Sequence, residues 1–256
     1  MSPQTAVPGI LGGLGPLAHV ELERQLVEEG VRRGAAADGD HPVWLLVSAT
    51  DVPDRTASLG GRAPSCVPWL VRHGNRLHAA GADFLVVPCH TAHAFYAEVS
   101  PLLRLPWLHL PDETAAHVAR AHPRARRVGL LATDGTLASG VHAESLAGQG
   151  LRALAPEPAV QADVMRAIYD PDCGIKARGV TERARWLLLG AAAALVARGA
   201  EVVVLGCTEL SVALRDVTSH AGASLVDPLR VLAAATLDRA FRARTALPTT
   251  RHGAVP

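Results

Sequence analysis

The chain has 256 residues, 49% of them hydrophobic, which is enough apolar material for one large core or two smaller ones. Its 25 basic and 24 acidic residues leave a formal charge of +1, so no net field directs it to nucleic acid or to an anionic membrane. Four cysteines, at 66, 89, 173 and 207, are too few to staple a secreted domain and fit a reducing, cytoplasmic setting.

The first apolar stretch, Val7 to Leu17, is broken by Gly and Pro and has no basic residues before it, so it does not read as a secretion signal. It reads as a strand running into a glycine turn over 9–15, followed by a helix near 16–29. Buried strands are expected at 43–47, 84–87, 128–131 and 202–205, with helices near 65–80, 113–121, 137–149, 180–198 and 228–244. The most apolar segment, 186–197, is too short to span a bilayer and is expected to be a buried helix. Basic clusters at 120–127 and 239–244 read as solvated helix ends. The tail 248–256 is expected to be disordered. Strands of continuous apolar residues alternating with helices imply an α/β fold with mainly parallel sheets covered on both faces.

An internal comparison adds more. Gly81-Ala-Asp-Phe-Leu-Val-Val-Pro-Cys89 overlies Gly199-Ala-Glu-Val-Val-Val-Leu-Gly-Cys207 at an offset of 118 residues. Gly9-Ile-Leu-Gly-Gly-Leu-Gly15 overlies Gly129-Leu-Leu-Ala-Thr-Asp-Gly135 at an offset of 120. Two landmarks in one order at matching spacing argue for a duplicated half. Ligands of open parallel sheets sit beyond the carboxyl ends of the strands. Two such lobes face to face would present Cys89 and Cys207 from opposite sides of one cleft. Cysteine also ends strands merely as a small apolar residue, but Cys66 and Cys173 do not share this placement.

Two opposed thiols suit racemisation next to a carboxylate. One group can return a proton only to the face it came from, whereas a thiolate and a thiol on opposite faces exchange roles at each turnover. Both cysteines precede expected helix starts, where the thiol pKa falls from about 8.5. Thr91 and Thr208 can cap or donate there, and free N–H groups can hold a carboxylate.

These motifs resemble the aspartate/glutamate racemase family, and within it the aspartate racemase branch. Gly12-Gly-Leu-Gly-Pro16 is similar to its opening loop and Pro53-Asp-Arg-Thr56 to its substrate-side motif. Pro88-Cys-His-Thr-Ala-His93, Gly174-Ile-Lys-Ala177 and Gly206-Cys-Thr-Glu209 are similar to its first cysteine, lysine and second cysteine motifs. The resemblance implies two Rossmann-like lobes related by a pseudo-twofold axis with the site between them: 1–113 with 221–247, and 114–220. It implies Cys89 and Cys207 as the paired acid and base, and Thr91 and Thr208 as holders of the α-carboxylate. Arg55 and Lys176 would supply positive charge for a dicarboxylate, and Thr133 would face the same cleft. It implies work without pyridoxal phosphate, other cofactor or metal, on an acidic or related polar amino acid, usually as a homodimer. This chain departs from the family at His90, where Asn is usual, and at Leu14, where Met is common. A protonated His90 would add charge beside the first thiol.

Other readings are weaker. Cys89, His90, His93 and Cys207 could be written as a zinc set, but consecutive residues at a helix start point to different faces. His93 shares the face of Cys89 and could polarise the thiol or simply be a buried, satisfied ring. Glu209 could orient the second thiol or serve as a first-turn acid. Pro16, and the lack of an acid convincingly ending the strand at Val47-Ser-Ala-Thr-Asp51, count against a dinucleotide loop. Maleate isomerisation uses one cysteine nucleophile and stays open; a non-catalytic binder of a small acidic metabolite would not need paired thiols.

Overall fold

Strands form where the apolar runs are uninterrupted, and helices fill the intervals. The computed structural model describes residues 5–242; the tail 248–256 and the end of the helix expected over 228–244 lie outside the described residues. The first half contains β1 (Pro8–Gly12), α1 (Pro16–Arg32), β2 (Leu45–Ser48), α2 (Arg55–Leu59), α3 (Val67–Ala79) and β3 (Phe84–Val86). A 3-10 turn over Thr91–Phe95 and α4 (Tyr96–Val99) lead to α5 (Leu110–Ala121). The second half contains β4 (Arg127–Ala132), α6 (Asp134–Ser139), α7 (Val141–Gly148), β5 (Arg152–Leu154), α8 (Pro158–Tyr169) and α9 (Ile175–Arg178). It continues through α10 (Glu182–Ala197), β6 (Val202–Gly206) and α11 (Thr208–Ala213), then β7 (Ser219–His220), β8 (Ala223–Val226) and α12 (Pro228–Arg242).

The first sheet has the order β2-β1-β3, all parallel. Leu85 also bonds through its backbone to Pro106 and Leu108, so a rudimentary fourth strand runs beside β3. The second sheet has the order β5-β4-β6-β8-β7, parallel except for the β7–β8 hairpin. Each sheet is covered on both faces. On the first, Leu22, Phe84 and Leu232 pack on one side and Leu70, Leu77 and Trp107 on the other. On the second, Ile168, Leu188 and Val203 face Val118, Leu146 and Val204 across the strands. Burying each such side chain stabilises the fold by roughly 1.5–3 kcal/mol. The architecture is a two-lobed α/β fold with mainly parallel sheets.

The repeat is visible in the register. Gly9 lies beside Leu85 and Gly129 beside Val203, while Leu85 meets Trp107 as Val203 meets Leu225. A Cβ on Gly9 would stand 2.8 Å from Ala82 Cβ and 3.2 Å from Leu77 Cβ. A Cβ on Gly129 would stand 3.1 Å from Ala200 Cβ and 3.2 Å from Leu195 Cβ. Those partners are themselves separated by the same 118 residues. Glycine is required at both sites because the loop after a covering helix touches the strand there.

Several expectations are corrected. The strand expected at 43–47 starts at Leu45 and is an edge strand with alternate residues exposed, not a buried one. The helix expected over 137–149 is two, α6 and α7, separated at Gly140 in a left-handed conformation. Trp186 begins the apolar run of α10 yet is 63% exposed, so that helix is buried on one side only. Residues 223–226, grouped with the first lobe on sequence, form β8 of the second sheet. The chain returns to the first lobe only with α12, where Arg33 bonds Asp238 at 2.8 Å and Ala6 N–H donates to Ala240 O at 2.9 Å. Helix α5 touches both cores, Leu110 in one and Val118 in the other, so no clean boundary falls at 113.

Candidate active site

Each cysteine stands just past the carboxyl end of a central strand. Cys207 follows β6 directly and is the N-cap of α11, with extended backbone. Cys89 follows β3 by three residues and leads into the 3-10 turn, so the helix start expected there is a tighter turn. Both are free and 6% exposed. They line one narrow cleft. Leu14, Arg55, His90, Thr91, Thr133, Lys176, Thr208 and Glu209 line it with them, whereas His93 does not. Sequence reasoning missed Asp54 and Tyr169, which also line it. A larger hollow, about 430 Å³, lies between Tyr96, His109 and Glu144, and neither cysteine reaches it.

The two sulfurs have different surroundings. Cys207 Sγ donates to Glu209 Oε2 at 2.9 Å, and Thr208 Oγ1 donates to the same oxygen at 3.3 Å. The other Glu209 oxygen pairs with Lys176 Nζ. Burial, then the Glu209 charge, push the Cys207 thiol well above its ordinary value, against the pull of Lys176. Burial works against the Glu209 charge, but Lys176 and the Cys207 bond outweigh it and hold the carboxyl below the usual range. Lys176 is raised although burial opposes its charge, because Glu209 and then Cys207 favour it. Tyr169 is pushed up to about 12 by burial and by Cys207. Lys176 Nζ sits 5.6 Å from the Tyr169 ring centroid.

Beside Cys89 the partner is Arg55. Its Nη2 donates to Leu14 O at 2.6 Å and its Nη1 to Pro53 O at 3.2 Å, which ties the Pro53-Asp-Arg-Thr motif to the opening loop. Burial disfavours its charge, but the neighbouring Cys89 sulfur holds the guanidinium above its ordinary value. The loop itself fits closely over the second lobe: Gly15 has φ +128°, and a Cβ there would stand 2.9 Å from Glu209 Oε1. That contact, not phosphate binding, accounts for the glycine.

Hydroxyls bridge the lobes. Thr91 Oγ1 lies 2.7 Å from Thr136 Oγ1 and 3.3 Å from Thr133 Oγ1, and Thr133 caps α6. Thr136 carried no signal in the sequence. The histidines depart from expectation. His93 cannot polarise the thiol: its Nε2 accepts from Leu110 N–H at 3.2 Å, so Nδ1 is the N–H that donates to Cys89 O at 2.9 Å. Burial and His109 bring its pKa down to about 3, and the ring is a neutral structural tie. His90 is neutral as well, because burial, then His142 and His93, depress it well below its ordinary value. Its added charge beside Cys89, allowed by the sequence, is therefore withdrawn. Among the described residues no group of three or more His, Cys, Asp or Glu is arranged to hold a metal.

With two free thiols of a repeat facing one cleft, the comparisons with known proteins become decisive. The Asp/Glu/Hydantoin racemase family model matches residues 11–236. The chain belongs to that family. It is 26% identical over 234 residues to the broad specificity amino-acid racemase RacX of Bacillus subtilis, covering 90% of this chain and 96% of that one. It is 32% identical over 220 residues to the glutamate racemase of Pseudomonas entomophila, covering 81% and 71%. The aspartate racemase of Picrophilus torridus superposes with a TM-score of 0.78 at 25% identity, over 92% of this chain and 94% of that one. Within this racemase family the chain is an isomerase of amino acids. No helix of the described residues is long and apolar enough to cross a membrane.

Proposed function

We propose that the protein racemises an amino acid without a cofactor, by proton transfer between Cys89 and Cys207 across a single α-carbon. The observation that carries this reading is that the matched cysteines of the two repeats line the same cleft. Arg55 lies beside the sulfur that starts as base, Cys89. Cys207, protonated and donating to Glu209, starts as acid. The substrate's α-carboxylate lies against the hydroxyls of Thr91, Thr133 and Thr208. Cys89 removes the α-proton, the extra electron pair spreads into the carboxylate, and Cys207 delivers its own proton to the opposite face. The second thiolate is left beside Lys176, and the reverse reaction or exchange with water resets the pair.

The substrate belongs to the acidic or related polar amino acids, and free thiols fit a cytoplasmic enzyme. A homodimer is the assembly we expect from the family resemblance. Single L-enantiomers, and separately maleate, are incubated with the protein in deuterium oxide and followed by proton NMR and chiral chromatography. Inversion with one deuterium at the α-carbon is the expected result. Conversion of maleate to fumarate, or no exchange with any amino acid, would sink the reading.

A further inference from the structure

His90 Nδ1 and His142 Nε2 lie 2.7 Å apart, their rings tilted 35° to one another. The pair crosses the molecule, because His90 follows Cys89 in the first lobe and His142 is in the first turn of α7 in the second. Both rings are buried and both are neutral: burial, then His109, bring His142 down to about 3. Between two neutral imidazoles one nitrogen donates and the other accepts, so the tautomer of His90 is coupled to that of His142. His90 also lines the cleft, and its remaining nitrogen, Nε2, is buried with no hydrogen-bond partner. A buried polar atom left unpaired is costly unless a ligand satisfies it.

The charges of the cleft point the same way. Lys176 is paired with Glu209. Arg55 is tied to Leu14 O and Pro53 O and stands against the Cys89 sulfur. Each cation expected to receive a second substrate carboxylate therefore already has an anion or carbonyls of its own. A dicarboxylate would have to displace one of these pairs, whereas an amide or hydroxyl, able to donate as well as accept, needs only one hydrogen bond with a neutral ring.

We propose that His90, positioned by His142 from the other lobe, is the specificity element of the cleft and selects amino acids with an uncharged polar side chain over dicarboxylates. His90 Nε2 reads the side chain, and His142 acts through it as a positioning residue. This rests on the racemase reading above and narrows its substrate.

The test compares isosteres that differ in charge: asparagine against aspartate and glutamine against glutamate, with alanine as the reference lacking a polar end. For the wild type, kcat/KM for the amides should exceed that for the acids by about tenfold or more. In His142→Phe that preference should collapse towards unity while alanine turnover stays within about twofold, because the ring of His90 loses its partner but the thiols are untouched. His142→Gln, which can still bond His90 Nδ1, should keep the preference. Aspartate used as well as asparagine by the wild type, or a preference unchanged in His142→Phe, overturns the proposal while leaving racemisation intact. No α-deuterium from any of the five substrates overturns this proposal, and none from any amino acid removes the racemase reading with it. Should His142→Phe not fold, nitrogen-15 NMR of the wild type decides: the His90 Nε2 resonance must move on adding asparagine, and a resonance that stays put overturns the proposal.

Discussion

Cys207 Sγ donates a hydrogen bond to Glu209 Oε2 at 2.9 Å, and Glu209 keeps its charge in a buried place because Lys176 holds the other oxygen. This bond makes the two thiols of the repeat unequal before substrate arrives. It has a consequence for stability. The Cys207 pKa is raised in the folded protein above its unfolded value of about 8.5, so the folded state binds more protons above that pH. The contribution is complete below about pH 8.5 and is lost as pH rises beyond it. Thermal unfolding from pH 7 to pH 10 should show a steeper fall in Tm for the wild type than for Cys207→Ala. Parallel curves would mean that Cys207 titrates normally.

Glu209→Gln keeps the shape and removes the anion. Lys176 then faces Cys207 without its counterion, which draws the thiol towards its thiolate and leaves less of the protonated form that starts as acid. At saturating substrate, kcat should fall in the direction that begins with Cys207 protonated, by about tenfold or more. The reverse kcat should suffer less, with the KM values shifting so that kcat/KM stays equal in both directions, and ultraviolet thiolate absorbance should rise. Equal losses in both directions would assign Glu209 to packing alone.

Substituting either thiol should abolish inversion. Cys89→Ala and Cys207→Ala each leave one proton acceptor, so each should still exchange the α-proton of one enantiomer without converting it, at about 10²-fold or more below the wild-type racemisation rate. Chiral chromatography with deuterium incorporation distinguishes exchange from inversion. Wild-type racemisation by Cys207→Ala would refute the two-base mechanism.

Arg55 is a tie as well as a charge. Arg55→Leu removes the cation beside Cys89 and the bonds to Leu14 O and Pro53 O, so kcat should fall for neutral and acidic substrates alike. Arg55→Lys should restore little, since an ammonium does not reproduce the fork that reaches two carbonyls. A loss confined to KM for dicarboxylates would return Arg55 to the side-chain pocket.

His93→Phe tests the opposite kind of residue. It leaves Cys89 O and Leu110 N–H without their buried partners, at roughly 1–3 kcal/mol for each group. Urea unfolding should show the loss, while the pH profile of the remaining activity keeps its shape. A shifted profile would restore His93 to the chemistry.

Much of the fold was legible because the strands that position the cysteines are central and apolar throughout, as in Val202-Val-Val-Leu205. The repeat was legible because close packing forces Gly9 and Gly129, and with them their spacing to the cysteines. What escaped was short or partly exposed. β5 is three residues long at a sheet edge, and α8 buries only Val164, Ala167 and Ile168. The motifs named the residues that line the cleft but not their partners. Thr136, His142 and Tyr169 lie in helices of the second lobe and reach the site or its lining residues through tertiary contact alone. The Lys176–Glu209 pair likewise joins residues 33 positions apart and reverses the use expected of the lysine.

The return of α12 to the first lobe bears on how the protein is made. Leu229, Leu232 and Leu237 are part of the cluster that covers Ile10, Leu22 and Phe84. On the ribosome that face of the opening sheet, covered in part by Leu22 and Leu26 of α1, therefore waits for α12 before its cluster is complete. The middle lobe completes its own sheet with β8 before that helix emerges. Synthesis order thus favours a mature centre with an unfinished beginning, and the unfinished face is the surface through which nascent chains would stick to one another or to a chaperone.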